Sequence, residues 1–181
     1  MHNIPVPLSS AAEQTYLTAL MLGWGARDDS AMVRMYFPDP ILSVKTKHKS
    51  PEETANICKV IDLMKFTNIC AAVEAIAFAK YLRVDMDQFY DLVTGAAGNS
   101  HIFTAIGAKM IPTPELEEHM ADIPRIDEVV QQFTPIIQLA RDLHCPLSLG
   151  TEALNQFLFA QRRGLGSEKC TRLLSLWDSD R

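Results

Sequence analysis

Ser50-Pro51-Glu52-Glu53-Thr54-Ala55-Asn56-Ile57-Cys58-Lys59-Val60-Ile61-Asp62 opens the clearest helical pattern in the sequence, and beyond Pro51 no Pro or Gly interrupts it as far as Leu82. Ser50 is placed to cap a helix, Pro51 to occupy its first turn, and Glu52 and Glu53 to oppose the positive end of its dipole. Ile57, Val60, Ile61, Met64, Ile69, Ala72, Val73, Ile76 and Ala77 then recur at helical spacing. The pattern predicts one helix of about 30 residues, about 45 Å long. A small domain needs less than that to cover one core. Such a helix forms the spine of a bundle or reaches into a partner subunit.

The flanks read as helical too. Ser10-Ala11-Ala12-Glu13 has the pattern of a capping box and predicts a helix to Leu22, ended by Gly23 and Gly25. Asp28 or Asp29 caps a short helix through Tyr36, and Pro38 and Pro40 end regular structure. After the long helix, Asp85 caps Met86–Thr94, and Gly95 ends it. Gly95-Ala96-Ala97-Gly98-Asn99-Ser100 is a turn, His101–Met110 returns to helix, and Glu115–Asp122 is an acidic loop among prolines. A helix follows over Ile126–Leu143, which Pro135 should kink or split. Segments near Thr151–Arg162 and Glu168–Trp177 complete an all-α chain.

The last pair of helices repeats the first. At a constant offset of 141 positions, Pro5, Leu8, Ala12, Leu17, Ala19, Gly23 and Gly25 match Pro146, Leu149, Ala153, Leu158, Ala160, Gly164 and Gly166. Tyr16 stands opposite Phe157, Val33 opposite Leu174 and Tyr36 opposite Trp177, with no insertion. Self-similarity of this length outweighs any short motif. Its content is a helix, a Gly-x-Gly ending and a second short helix, used twice.

Composition excludes several classes of function. With 181 residues, 48% hydrophobic and 22% charged, the chain is an ordinary globular domain rather than a disordered or fibrous one. Its apolar runs are too short to span a bilayer, and MHNIPVPLSS lacks the layout of a secretory signal. The expected location is the cytoplasm. A net charge of −5 opposes a nucleic-acid partner, and the basic run Lys45–Lys49 reads as a solvated linker. Cys58, Cys70, Cys145 and Cys170 form no CxxC pair and read as buried, reduced thiols. His101, His119 and His144 lack metal-ligand spacing.

The order of these helices resembles the C-terminal helical domain of the β-hydroxyacid dehydrogenases. That family includes 3-hydroxyisobutyrate dehydrogenase, threonate-type dehydrogenases and, more distantly, 6-phosphogluconate dehydrogenase. The resemblance covers Thr54 to Trp177. It is carried by Lys59, Ala72-Val73-Glu74-Ala75-Ile76-Ala77-Phe78-Ala79, the Gly95–Ser100 turn, Cys145-Pro146-Leu147-Ser148-Leu149 and Gly164-Leu165-Gly166. It implies a multihelical bundle around one long central helix, like the C-terminal domain of 6-phosphogluconate dehydrogenase. It also implies two units. Residues 1–44 resemble the tail of a preceding copy, and residues 45–181 the helical domain itself.

In that family a separate Rossmann domain binds NAD or NADP, and a lysine early in the long helix is the general acid/base. Lys59 holds that position, and Asn99 and Ser100 fall where the substrate cleft would be. The sequence departs from the family at several points. The Gly-x-Gly before the lysine is replaced by Glu53 and Ala55, and an asparagine three residues after it is Asp62. A later Lys-Asp pair falls on Gln131 and Gln132, which makes Gln131 a degenerate cofactor-side position. About 14 residues separate the first repeat from the long helix, where one βαβ unit needs roughly 30. Both Gly-x-Gly pairs follow helices and read as caps rather than phosphate loops.

The resemblance therefore implies a helical substrate-pocket and dimerisation module that is not catalytic alone and binds no cofactor alone. NAD or NADP enters only if a Rossmann domain, on another polypeptide or in a longer parent chain, completes the site. The alternative is a component or fragment of an active 3-hydroxyisobutyrate- or threonate-type dehydrogenase. The expected partner is a second copy of the chain, with no nucleic acid and no membrane. Lys59 also reads as a surface lysine paired with Asp62. Asn99 and Ser100 read equally as turn residues, and Glu74 as a carboxylate at a helix crossing with a backbone or hydroxyl partner.

Overall fold

A computed structural model describes residues 4–36, 50–111 and 123–177. The predicted Pro38 and Pro40 stop, the Lys45–Lys49 linker, the Glu115–Asp122 loop and His119 lie outside these residues. Among the described residues, six α-helices carry the fold: α1 (Pro7–Met21), α2 (Pro51–Tyr81), α3 (Met86–Thr94), α4 (Ala108–Met110), α5 (Ile126–Asp142) and α6 (Ser148–Ala160). No β-strand occurs among the described residues, only an isolated bridge between Arg125 and Lys169.

α2 is the spine, 31 residues long. Ser50 Oγ accepts from Glu53 N at 3.1 Å while Glu53 Oε2 accepts from Ser50 N at 2.6 Å, so the predicted helix start is a closed capping box. Its two halves differ. From Phe66 onward Ile69, Cys70, Val73 and Ile76 are wholly buried, whereas every residue from Pro51 to Ile61 is exposed.

α5 and α6 cover the buried half. Phe66 of α2, Phe133 of α5 and Phe157 of α6 meet as a three-ring cluster, with centroids 5.3 Å apart for Phe66–Phe133 and 6.4 Å for the other two pairs. Tilted and edge-on packing at these separations favours the ring quadrupoles. Gly150 lets α6 close in, because a Cβ there would meet Leu63 Cδ1 at 2.8 Å and Ile137 Cδ1 at 3.1 Å. α5 runs through Pro135 without splitting. Pro135 and Gln131 are both exposed, so the carbonyl that loses its helical donor faces water, and neither the predicted split nor a buried orphan results.

Further sequence expectations hold in detail. Asp85 Oδ1 accepts from Gln88 N at 2.9 Å to start α3, and Asp28 Oδ1 accepts from Ser30 N at 2.9 Å to start a 3₁₀ turn over Asp29–Met35. Residues 101–110 are helical, with a wider π turn at Phe103–Gly107. The start of α1 differs from expectation. It begins at Pro7, so Ser10 lies inside the helix and its hydroxyl donates to Val6 O instead of capping. The expectation for the cysteines also needs one correction. Cys70 and Cys170 are buried, Cys145 is half-buried, and Cys58 is exposed because it falls on the uncovered half of α2.

Candidate functional site

Lys59 stands on the exposed half of α2. Its ammonium donates to Asn56 Oδ1 at 3.2 Å, and the expected ion pair with Asp62 is not formed. The physical reason is direction: helical side chains lean toward the N-terminus, so the stem of Lys59 reaches back one turn. Asp62, half-buried, sits one turn further on.

Asn99 and Ser100 are bound up in their own turn. Asn99 Nδ2 donates to Thr94 O at 3.1 Å, and Thr104 Oγ1 donates to Asn99 Oδ1 at 3.1 Å. Ser100 Oγ accepts from Phe103 N at 3.0 Å and so caps the helical stretch that follows. Tyr90 OH donates to Thr104 O at 3.1 Å and ties the turn to α3. Gln131 and Gln132 are exposed on α5. No hydrogen bond or ion pair joins Lys59, Asp62, Asn99, Ser100 and Gln131 to one another.

Among the described residues, Glu74 is the one charged side chain in the core, only 2% exposed. Its Oε2 accepts from Leu8 N at 2.9 Å and its Oε1 from Ser9 N at 2.7 Å. Val6 provides no side-chain cap for α1, so a carboxylate from α2 satisfies the first amides of another helix and meets the positive end of its dipole. The backbone partner expected at a helix crossing is therefore the start of α1.

A cavity of about 620 Å³ lies where α1, the end of α5 and the start of α6 converge. Arg141, His144, Cys145, Ser148 and Glu152 are among its walls, and none of the five candidate residues is. The Cys145–Leu149 motif marked this wall in the sequence. Arg141 and Glu152 carried no signal, because only the turn after α5, with His144 at φ +54°, brings them into the walls of one cavity. No helix among the described residues is long and apolar enough to cross a membrane, and no group of three or more His, Cys, Asp or Glu side chains among them is placed to hold a metal.

The described residues do not fit a dinucleotide by themselves. Gly23 at φ +76° and Gly164 at φ +83° close the C-terminal ends of helices, where carbonyls rather than amides point outward. A pyrophosphate needs the opposite end, with glycines that admit close approach. Lys59 and Gln131 supply isolated polar contacts but no such cradle.

Comparison with known proteins identifies the family of the helical region. Residues 54–177 match the family model described as NAD-binding of NADP-dependent 3-hydroxyisobutyrate dehydrogenase. L-threonate dehydrogenase of Escherichia coli strain K12 is 31% identical over 115 residues, covering 64% of this chain and 36% of that protein. The enzyme of the same name from Pectobacterium atrosepticum is 28% identical over 124 residues, covering 68% and 39% respectively. The crystal structure of 3-hydroxyisobutyrate dehydrogenase from Salmonella typhimurium superposes with a TM-score of 0.59 at 28% identity, over 71% of this chain and 43% of that one. The chain spans less than two fifths of the length of these curated relatives.

Proposed function

The chain belongs to the NADP-dependent 3-hydroxyisobutyrate dehydrogenase family through its helical region, and from that premise we propose that these residues form the helical substrate-pocket and association module of such an enzyme, without catalysis of their own. The observation that supports this is the location of the match. It covers an all-α unit in which α2 presents Lys59 on an open surface, with no phosphate cradle beside it among the described residues.

On this reading Lys59 is the inherited acid/base position, and it acts only when a dinucleotide-binding domain supplied elsewhere lies against α2. That domain would bring NAD or NADP, whose nicotinamide accepts or gives the hydride. The contribution of this chain is positional: Lys59 stands at the rim of the shared cleft, with Asn99 and Ser100 as candidate substrate contacts. Loss of the family's Lys-Asp pair at Gln131 and Gln132 favours an idle site over a competent one.

Association goes with the same module. Ile57, Val60, Ile61 and Met64 are between 40% and 59% exposed on the first half of α2, at the spacing of one helical face. A second copy is the partner that this face fits. The functional reading is tested by assaying the purified chain for NAD- and NADP-dependent oxidation of L-threonate and 3-hydroxyisobutyrate. The expected result is no turnover, and the same for Lys59→Ala. Turnover that Lys59→Ala abolishes would contradict the proposal and favour the second reading, a competent dehydrogenase component.

A further inference from the structure

The sequence repeat is also a structural one, and its two copies touch. α1 begins at Pro7 and α6 at Ser148, the 3₁₀ turns cover Asp29–Met35 and Cys170–Leu176, and the left-handed glycines are Gly23 and Gly164. Each pair keeps the offset of 141 positions. α1 lies directly against α6, its own counterpart.

The ends of the two copies are placed reciprocally. Trp177 Nε1, at the end of the second copy, donates to Pro5 O, at the start of the first, at 2.7 Å. The counterpart pair, Tyr36 at the end of the first copy and Pro146 at the start of the second, lines one cavity of about 170 Å³. Residue i of one copy meeting j of the other, while j meets i, is the signature of a two-fold, isologous interface. Such interfaces form between identical subunits; here both halves lie in one chain.

We infer that residues 5–36 fill, within the chain, the surface on which one such helical domain takes up residues 146–177 of a second copy. Glu74 is the anchor of that surface. It receives the amides of Leu8 and Ser9, whose counterparts are Leu149 and Gly150, and α6 starts with no side-chain cap of its own. The substitutions between the copies agree. Where the second copy buries Leu154 and Cys170 in the core, the first carries Glu13 and Asp29, both exposed. The first copy is thus charged at two positions of its core face, while Tyr16 and Val33 on that face stay apolar and exposed. Because α1 is tethered, its effective concentration at this surface exceeds that of any free second copy, and the site stays closed to one.

This inference does not depend on the proposed function, and its test involves no nucleotide. The full chain is prepared with residues 5–36 replaced by the sequence of 146–177, and separately with residues 5–36 scrambled. Thermal midpoint and particle mass are read for both. The replaced chain is expected to melt within about 5 °C of the natural one at the same mass. Glu74→Gln is expected to lower its midpoint as it lowers that of the natural chain. The scrambled chain is expected to lose more than about 10 °C, or to gain mass as a second copy takes the bare surface. A replaced chain that melts with the scrambled one, or whose midpoint ignores Glu74→Gln, overturns the inference.

Discussion

Glu74 does what a local cap does in most helices, but from 66 positions away. Removing it leaves two amides of α1 facing a buried space without an acceptor. Glu74→Ala is therefore expected to cost about 2–3 kcal/mol in urea denaturation, and Glu74→Gln less, because one carbonyl oxygen remains. The buried thiols make a second prediction. Burial pushes Cys170 up to about 12 from an ordinary 9.0, and Cys70 is raised well above that value for the same reason. The folded state thus keeps protons that the unfolded state releases. The resulting stability is fully present below about pH 9 and is lost as pH climbs toward 12. A thiol reagent at pH 8 is expected to label exposed Cys58 first and to reach Cys70 and Cys170 only on unfolding. Prompt labelling of all four would contradict this. Lys59→Ala is expected to shift stability by no more than about 0.5 kcal/mol, since Lys59 is exposed and its ammonium bonds to exposed Asn56.

α2 shows how much of an element local chemistry can announce. Ser50, Pro51 and Glu53 specify its start, the apolar spacing specifies its buried second half, and the absence of Pro and Gly specifies its length. The same reasoning misplaced the start of α1, because Ser10 and Glu13 matched a capping box while the acceptor actually used comes from α2. No local pattern encodes a partner so far along the chain. Pro135 was legible as a missing donor, but its consequence was not, since that depends on which side of α5 faces water. The exposed face of α2 carries its own prediction. If a second copy covers Ile57, Val60, Ile61 and Met64, light scattering at micromolar concentration gives about twice 20.2 kDa. The double substitution Val60→Asp and Ile61→Glu then returns the mass to 20.2 kDa with helicity retained. A wild-type chain already at 20.2 kDa removes the association reading.

At the scale of the molecule, the all-α architecture and the repeat were legible because both are periodic: helical spacing sets one, and a fixed offset sets the other. The site was less legible. Lys59, Asn99 and Gln131 were marked by family resemblance, yet each makes only local contacts or none with the others. The cavity lined by Arg141 and Glu152 arises where three elements converge, and no short motif encodes such a meeting. The two Gly-x-Gly pairs were legible as helix ends, and the left-handed φ of the first glycine in each agrees. That reading supports the proposal that these residues hold the helical half of a dehydrogenase site and not its nucleotide half. Titration of the purified chain with NADPH and NADH, followed by nucleotide fluorescence, tests it most directly. No saturable change is expected up to about 1 mM, a ceiling that leaves less than about 4 kcal/mol of binding energy. Saturable binding that Lys59→Ala weakens would contradict it, because the helical scaffold would then hold a cofactor site of its own.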